Sequence, residues 1–354
     1  MRILAYSHRL DYTGAPLIMF RLMRHLRRQH EVTLLLPRHG DVGALRADYE
    51  TAGIECTDSV NPQRFDALVV NTLIAFDVVL GAAGQMPILW WIHEPKGGRK
   101  WLDQGRVNGG AFARADKVVF PTRWQYETLY KPFVGTIPHA IVPYGMGIDP
   151  HAATATELHA PGELRLLQLG IVSQRKGIDL TLRALRRLAN PQIKLTIMGS
   201  QIFEPDFVRR VRAYIADDPM LSGSVTLMSE QHPTIAQAHM AHCDALLFPT
   251  RDDLITLTIL EGLLHKRCVL SSDFGPIPET IIHEETGLLS PVNDSVALAT
   301  NIDRIFHDRP LIDRLGSAGH AIYDRKHTFA VHAAAMEAEI RSIARAGKGG
   351  GKSS

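Results

Sequence analysis

The sequence predicts an α/β fold built from two successive doubly wound, Rossmann-like units. Two patterns carry that prediction: short apolar-rich runs alternate with amphipathic stretches, and the alternation stops once, over residues 149–163, before starting again. Length is the third observation. At 354 residues the chain exceeds what one core ordinarily organises, and an apolar fraction of 45% is enough to fill two.

In the first unit the apolar runs place strands at 3–7, 32–37, 67–72, 88–93, 118–122 and 140–144. After the first of them, Ala15, Ile18, Met19, Leu22, Met23 and Leu26 recur at helical spacing, with Pro16 in the first turn. Residues 151–163, rich in Ala, Thr, His and Pro, read as a linker closing a first domain of 1–150. The second domain, 164–325, repeats the pattern with strands at 164–170, 195–199, 225–229, 245–249 and 268–272. Gly177 there precedes a helix that turns Ile178, Leu182, Leu185 and Ala189 inward. Residues 326–346 predict a last helix and 347–354 a disordered tail. Two such domains are expected to face one another across a cleft, with the chemistry at the carboxyl ends of their strands.

Composition excludes several classes. A net charge of +2 with 21% charged residues is an ordinary balance and argues against nucleic-acid binding. Cys56, Cys243 and Cys268 are widely separated, so neither a zinc site nor a disulfide framework is expected; they read as buried thiols in a reducing compartment. The first residues enter a strand directly without a leader pattern, and no apolar run approaches the roughly 20 residues of a membrane span. A cytoplasmic protein is the expectation. Arg21, Arg24, Arg27 and Arg28 form a basic stripe on the first helix, which serves either as solvated surface or as a peripheral contact with anionic membrane.

Five places offer chemistry. Gly14 and Ala15 open a helix whose free amides suit a diphosphate, although a tight turn before a packing helix needs the same residues. His93 and Glu94 stand at the end of a strand, where an imidazole can bond a phosphate or a sugar hydroxyl. Arg175 and Lys176 precede a helix start, a position the dipole disfavours for cations, which points to an anionic ligand. Asp253 and Glu261 lie eight apart across a loop-to-helix junction: as a pair they resemble hydrolytic carboxylates, and singly each can accept from a sugar diol. Gly275 to Glu279 adds a turn and a third acid.

Taken together these residues resemble glycosyltransferase family 4. The family's second domain opens with a Gly, a short loop and Lys-Gly, matched by Gly170, Lys176 and Gly177; its acid-x7-acid motif is matched by Asp253 and Glu261. Its Gly-x-Pro-Glu turn is matched from Gly275 to Glu279, its Gly-Leu-Leu-x-Pro from Gly287 to Pro291, and its closing Pro-Asn-Gly-x-Asp by residues 143–149. Gly14 and His93 match its first-domain loop and histidine. Three departures stand out: Asp253 replaces the usual Glu, Leu254, Ile255 and Thr256 replace Gly-Phe-Gly, and Ile171 replaces an Arg whose charge Arg175 takes over.

The resemblance implies a GT-B fold and a retaining, metal-independent transfer from a nucleotide-sugar donor to a carbohydrate or glycolipid hydroxyl, without a cofactor. It assigns the diphosphate to Arg175 and Lys176, the ribose to Glu261, and the transferred sugar's hydroxyls to Asp253. His93 falls near the reacting carbon, Gly14, Ala15, Gly170, Thr256 and Leu257 join the donor site, and the last helix crosses back to the first domain. A nucleotide-sugar epimerase of the same fold and a catalytically weak donor-binding subunit are the alternatives.

Overall fold

The computed structural model describes residues 1–37, 43–147, 162–254 and 256–349. They fall into two compact units, Met1–Tyr144 with Phe329–Ser354, and Gly145–Thr328. Most of the predicted linker 151–163, Ile255 and the end of the predicted tail lie outside the described residues.

The first unit has strands β1 Arg2–Ser7, β2 Glu31–Leu35, β3 Glu55–Thr57, β4 Ala67–Asn71, β5 Ile88–Trp91, β6 Lys117–Phe120 and β7 His139–Ile141, in the order β3-β2-β1-β4-β5-β6-β7. Every pairing is parallel; Leu4 lies opposite Leu68 on one side, and Ile3 opposite Val32 on the other. The helices are α1 Gly14–Leu26, α2 Leu45–Thr51, α3 Phe76–Ala82, α4 Lys96–Asp103 and α5 Lys131–Val134. The inner strands β4 and β5 are apolar on both faces, as strands buried between two layers are, and β1 is buried along nearly its whole length. One core gathers Leu4, Tyr6, Leu68, Val70, Trp90 and Phe112 with Val79 of α3; α1 contributes its own buried stripe, Ile18, Met19, Leu22, Met23 and Leu26, to the opposite face.

The second unit has strands β8 Leu164–Leu169, β9 Ile193–Met198, β10 Val225–Met228, β11 Ala245–Phe248, β12 Cys268–Ser272 and β13 Leu288–Ser290, ordered β10-β9-β8-β11-β12-β13 and again parallel throughout. Its helices are α6 Ile178–Leu188, α7 Pro205–Ala216, α8 Pro219–Ser224, α9 Pro233–His242, α10 Leu257–Leu264, α11 Ser295–His307 and α12 Arg309–Lys326. In both sheets the winding direction reverses beside the first strand, between β1 and β4 and between β8 and β11, and the carboxyl ends of those strands form the natural ligand crevice of each unit.

Helix α13, Phe329–Gly349, belongs to the first unit. Ala333, Met336 and Ile340 are fully buried, His30 Nε2 meets Glu337 Oε1 at 3.0 Å, and Lys117 Nζ meets Glu339 Oε2 at 2.6 Å. No helix among the described residues is long and apolar enough to cross a membrane.

Several boundaries differ from the sequence reading. The first unit's leading segment stops at Tyr144 rather than 150, because Met146 donates its amide to His327 O (3.0 Å) and accepts from Tyr323 Oη (2.6 Å), which ties it to the second unit. The same contacts keep 326–328 with that unit, and α13 continues to Gly349, beyond 346. Strands β3 and β13 were not expected. Ala189 lies past the end of α6 in a left-handed conformation and is exposed rather than inward. Cys243 and Cys268 are buried, but Cys56 is only half-buried.

Candidate active site

In the second unit the site grows from the end of β8. Gly170 adopts φ +132°, and the following chain makes a helical turn over Gln174–Lys176 before entering α6 through Gly177. Gly177 is required twice over: its φ is +71°, and an added Cβ would stand 1.9 Å from the carbonyl oxygen of Pro249, just past β11. Close packing on that strand end is what brings Arg175 and Lys176 to the crevice.

The turn is fixed from several sides. Arg175 O accepts from the amide of Arg251 (2.8 Å) and the hydroxyl of Thr250 (3.2 Å), and Lys176 O from Gln168 Nε2 (2.9 Å). The guanidinium of Arg251 grips both carboxylate oxygens of Asp179, at 2.8 and 2.9 Å, and also bonds Gln174 O. Arg251 thus holds the turn in place, a role the sequence did not announce.

Arg175 Nη1 and Lys176 Nζ both reach Asp253 Oδ2, each at 2.7 Å. Lys176 Nζ also sits 4.6 Å from the centre of the Phe248 ring. Burial pulls the Lys176 pKa down, with Asp253 opposing that shift. The Asp253 side chain is 12% exposed and that of Arg175 40%, so the arginine presents its charge to an incoming ligand.

Beyond Asp253, Thr256 opens α10 without capping it, and its hydroxyl is buried with no hydrogen-bond partner. Leu257 and Glu261, four residues apart and both half-buried, share one face of that helix, while Ile259, Leu260 and Leu263 face the core. Gly275, at φ +49°, starts the turn that anchors Ile277 in the interior and leaves Glu279 exposed. The structure therefore gathers Gly170, Arg175, Lys176 and Asp253 at one strand-end crevice, with Thr256, Leu257 and Glu261 on the helix that leaves it.

Gly14, Ala15 and His93 belong to the first unit. Thr13 precedes α1 without a side-chain cap, no acid occupies the first turn, and Gly14 is exposed, which leaves the Gly14 and Ala15 amides without a partner inside the helix, although the Asp11 carboxylate accepts from the neighbouring Thr13 amide at 3.1 Å. Ala15 O accepts from Asn71 Nδ2 at 3.0 Å, which pins this helix start to the end of β4.

At the end of β5, His93 Nδ1 lies 2.7 Å from Tyr144 Oη with the two rings stacked, and Trp91 packs alongside. Its Nε2 is buried without a partner. Burial, with His332 and His8 adding to it, lowers the His93 pKa to about 3, so the ring is neutral at ordinary pH.

Two further residues at these strand ends escaped the sequence reading. Thr72 holds φ +76° and ψ 154°, a strained backbone for a β-branched residue; it is held there by its amide on Trp91 O and by Trp90 Nε1 on its carbonyl, both at 2.8 Å. Its hydroxyl lies 3.0 Å from His8 Nδ1. A histidine one residue past the first strand was the available signal for His8.

Glu94 Oε2 accepts from the amides of Leu73 (2.9 Å) and His93 (3.1 Å), yet burial outweighs both and raises its pKa from 4.5 to about 7. A carboxyl whose folded pKa is raised adds stability that is complete below pH 4.5 and lost as pH climbs through 7. Glu94→Gln keeps the acceptor and removes the titration. Melting curves of the two proteins between pH 4 and 8 are expected to show wild type falling relative to the variant as pH rises; parallel curves would refute the shifted carboxyl.

Residues 163–308 match the family Glycosyl transferases group 1. The amylovoran biosynthesis glycosyltransferase AmsK of Erwinia amylovora is 27% identical over 171 residues, 45% of this chain and 40% of that protein. The putative colanic acid biosynthesis glycosyltransferase WcaL of Salmonella typhimurium is 26% identical over 187 residues, 49% and 45% of the two chains. The chain thus spans less than half the length of these curated relatives. The crystal structure of Anabaena Alr3699/HepE in complex with UDP superposes with a TM-score of 0.79 at 17% identity, covering 97% of this chain and all of that one; the same protein's complex with UDP-glucose gives 0.75. The chain therefore carries, on a GT-B fold, a segment that matches the glycosyl transferases group 1 family.

Proposed function

We propose that the protein is a retaining glycosyltransferase of the family 4 type, moving a sugar from a nucleoside diphosphate to a hydroxyl of a carbohydrate or glycolipid in polysaccharide or glycolipid assembly. The observation that carries this reading is the placement of Arg175 and Lys176 on the single carboxylate of Asp253 at the crevice between β8 and β11. Two cations facing one carboxylate leave one positive charge in excess, with Lys176 and Asp253 largely buried and Arg175 open to an incoming ligand. A departing diphosphate is the group such an excess stabilises.

In the proposed reaction the bond from the sugar's anomeric carbon to the diphosphate oxygen breaks with its electron pair going to the diphosphate. The acceptor oxygen forms the new bond on the same face, and its proton passes to the leaving oxygen. Arg175 and Lys176 take up the developing charge, Gly170 allows close approach, and Asp253 contacts the transferred sugar. Glu261, with Leu257 and Thr256 beside it on α10, binds the ribose diol. His93 offers its buried, unpartnered Nε2 to a sugar hydroxyl near the reacting carbon, and Gly14 and Ala15 offer amides to an anionic oxygen. The scheme draws on no metal ion or organic cofactor. The exposed guanidinium groups of Arg24, Arg27 and Arg28 suit a peripheral contact with anionic membrane at its cytoplasmic face.

UDP-glucose, which the Anabaena protein binds, is the first donor to test, beside guanosine and adenosine diphosphate sugars. A bound donor is expected to raise Tm by mass action, and nucleotide release is expected to be slow until an acceptor is added. Glu261→Ala should weaken nucleoside diphosphate binding roughly 10- to 100-fold, the worth of a charge-assisted hydrogen bond. Interconversion of the donor without release would make the protein an epimerase instead. Binding with neither reaction would make it a donor-binding subunit.

A further inference from the structure

The first unit contains a cavity of about 580 Å³ that the donor chemistry leaves unused. Its origin is topological. The crossovers from β1 to β2 and from β2 to β3 are both right-handed, so α1 and α2 lie on one face of the sheet. Beyond the point where the winding reverses, α3 lies on the other face, beside β4 and β5. The face of β1 and β2 that carries Leu4 and Tyr6 has no helix of its own among the described residues, and the gap beside α3 is the groove.

Leu4, Tyr6 and Leu68 form the floor, and Val60, Val78 and Met86 the walls. Charge is confined to the rim, where Asp58 and Asp77 are exposed. At one end the groove meets His8, which follows β1, lies 3.0 Å through Nδ1 from Thr72 Oγ1, and is near enough to His93 to help lower its pKa. Two rim carboxylates repel an anionic head group, and along the floor Leu4 and Leu68, with Val60, Val78 and Met86 on the walls, offer a second sugar no hydrogen bond; an uncharged hydrocarbon suits both features.

We propose that this groove takes the apolar chain of an uncharged amphiphilic acceptor whose hydroxylated head lies at His8, an inference that rests on reading the first unit as the acceptor side. The acceptor is then an alkyl or acyl glycoside rather than a free sugar or a lipid phosphate. Its chain length, and not only its head group, governs affinity.

The test is calorimetric titration of the full chain with methyl, butyl, hexyl and octyl β-glucosides, each below its micelle concentration. Affinity is expected to rise about three- to fourfold per added methylene and to level off once the groove is full. Gly81, in α3, lines the groove, and a Cβ there meets nothing within 4 Å, so a larger side chain fills empty space and also favours the helix. In Gly81→Leu the gain with chain length should disappear, whereas Gly81→Ala should keep most of it. A flat series in wild type, or an equal slope in Gly81→Leu, overturns the proposal. So does a dimer, seen by sedimentation, that the octyl glucoside breaks apart, since the groove would then belong to a second copy. Donor binding and hydrolysis are measured separately: a chain-length effect without donor turnover defeats the transferase reading alone, and donor turnover with a flat series defeats the groove alone.

Discussion

Replacing Lys176 by Ala is expected to lower kcat/KM about 10²- to 10³-fold, the cost of removing one well-placed cation from a developing charge. The ammonium is held between Asp253 and the Phe248 ring, so its position is set before the donor arrives. Its loss should appear mainly in kcat, because the charge on the diphosphate is largest as the sugar bond breaks. Asp253 keeps its contacts with Arg175 and Thr250 in the variant, so the fold is expected to survive, and a melting curve close to wild type should accompany the lost activity. Lys176→Arg keeps the charge but needs more room over Phe248, and should recover part of the rate. Unchanged turnover in Lys176→Ala would remove the diphosphate from this pair of cations.

The second large effect concerns the residue beside it. Gly177→Ala forces a side chain into a left-handed backbone and drives its Cβ onto Pro249 O. Together these cost about 2–4 kcal/mol, which in a unit of this size lowers Tm by roughly 4–16 °C. The two causes can be separated. Asparagine tolerates positive φ far better than alanine, so Gly177→Asn should restore stability if the backbone alone matters and fail if the contact with Pro249 dominates. The geometry favours the contact, and both variants are expected to displace Lys176. A melting temperature within 2 °C of wild type for Gly177→Ala would show that the turn relaxes freely.

What the sequence made legible follows the length scale of each signal. Apolar runs such as Ile88–Trp91 and Cys268–Ser272 are local and unmistakable, and they placed most of both sheets. Lys176 and Gly177 were legible because they combine a residue type with a backbone position, a strand end followed by a glycine turn, and Asp253 because an acid eight residues before Glu261 spans a loop-to-helix junction. Strand β3, three residues with no buried side chain, carried no apolar run to find. Non-local partnerships were beyond reach: Arg251 meets Asp179 across 72 positions, and the seam at Tyr144 depends on Tyr323, 177 positions from Met146. Thr72 was missed for another reason. Its strained backbone is imposed by Trp90 and Trp91 of the neighbouring strand and leaves no mark on the residue itself.

The return of α13 to the first unit bears on how the chain is made. The unit that begins at Met1 lacks a core element until Phe329 and the residues after it have been translated, whereas Gly145–Thr328 is one continuous stretch. At about 5–20 residues per second the ribosome needs roughly 10–40 s to add that stretch. Throughout that interval the surface awaiting Ala333, Met336 and Ile340 stands open. The second unit in the sequence is therefore the first that can be completed, and the first unit stays without its last core helix until Phe329 and its successors arrive.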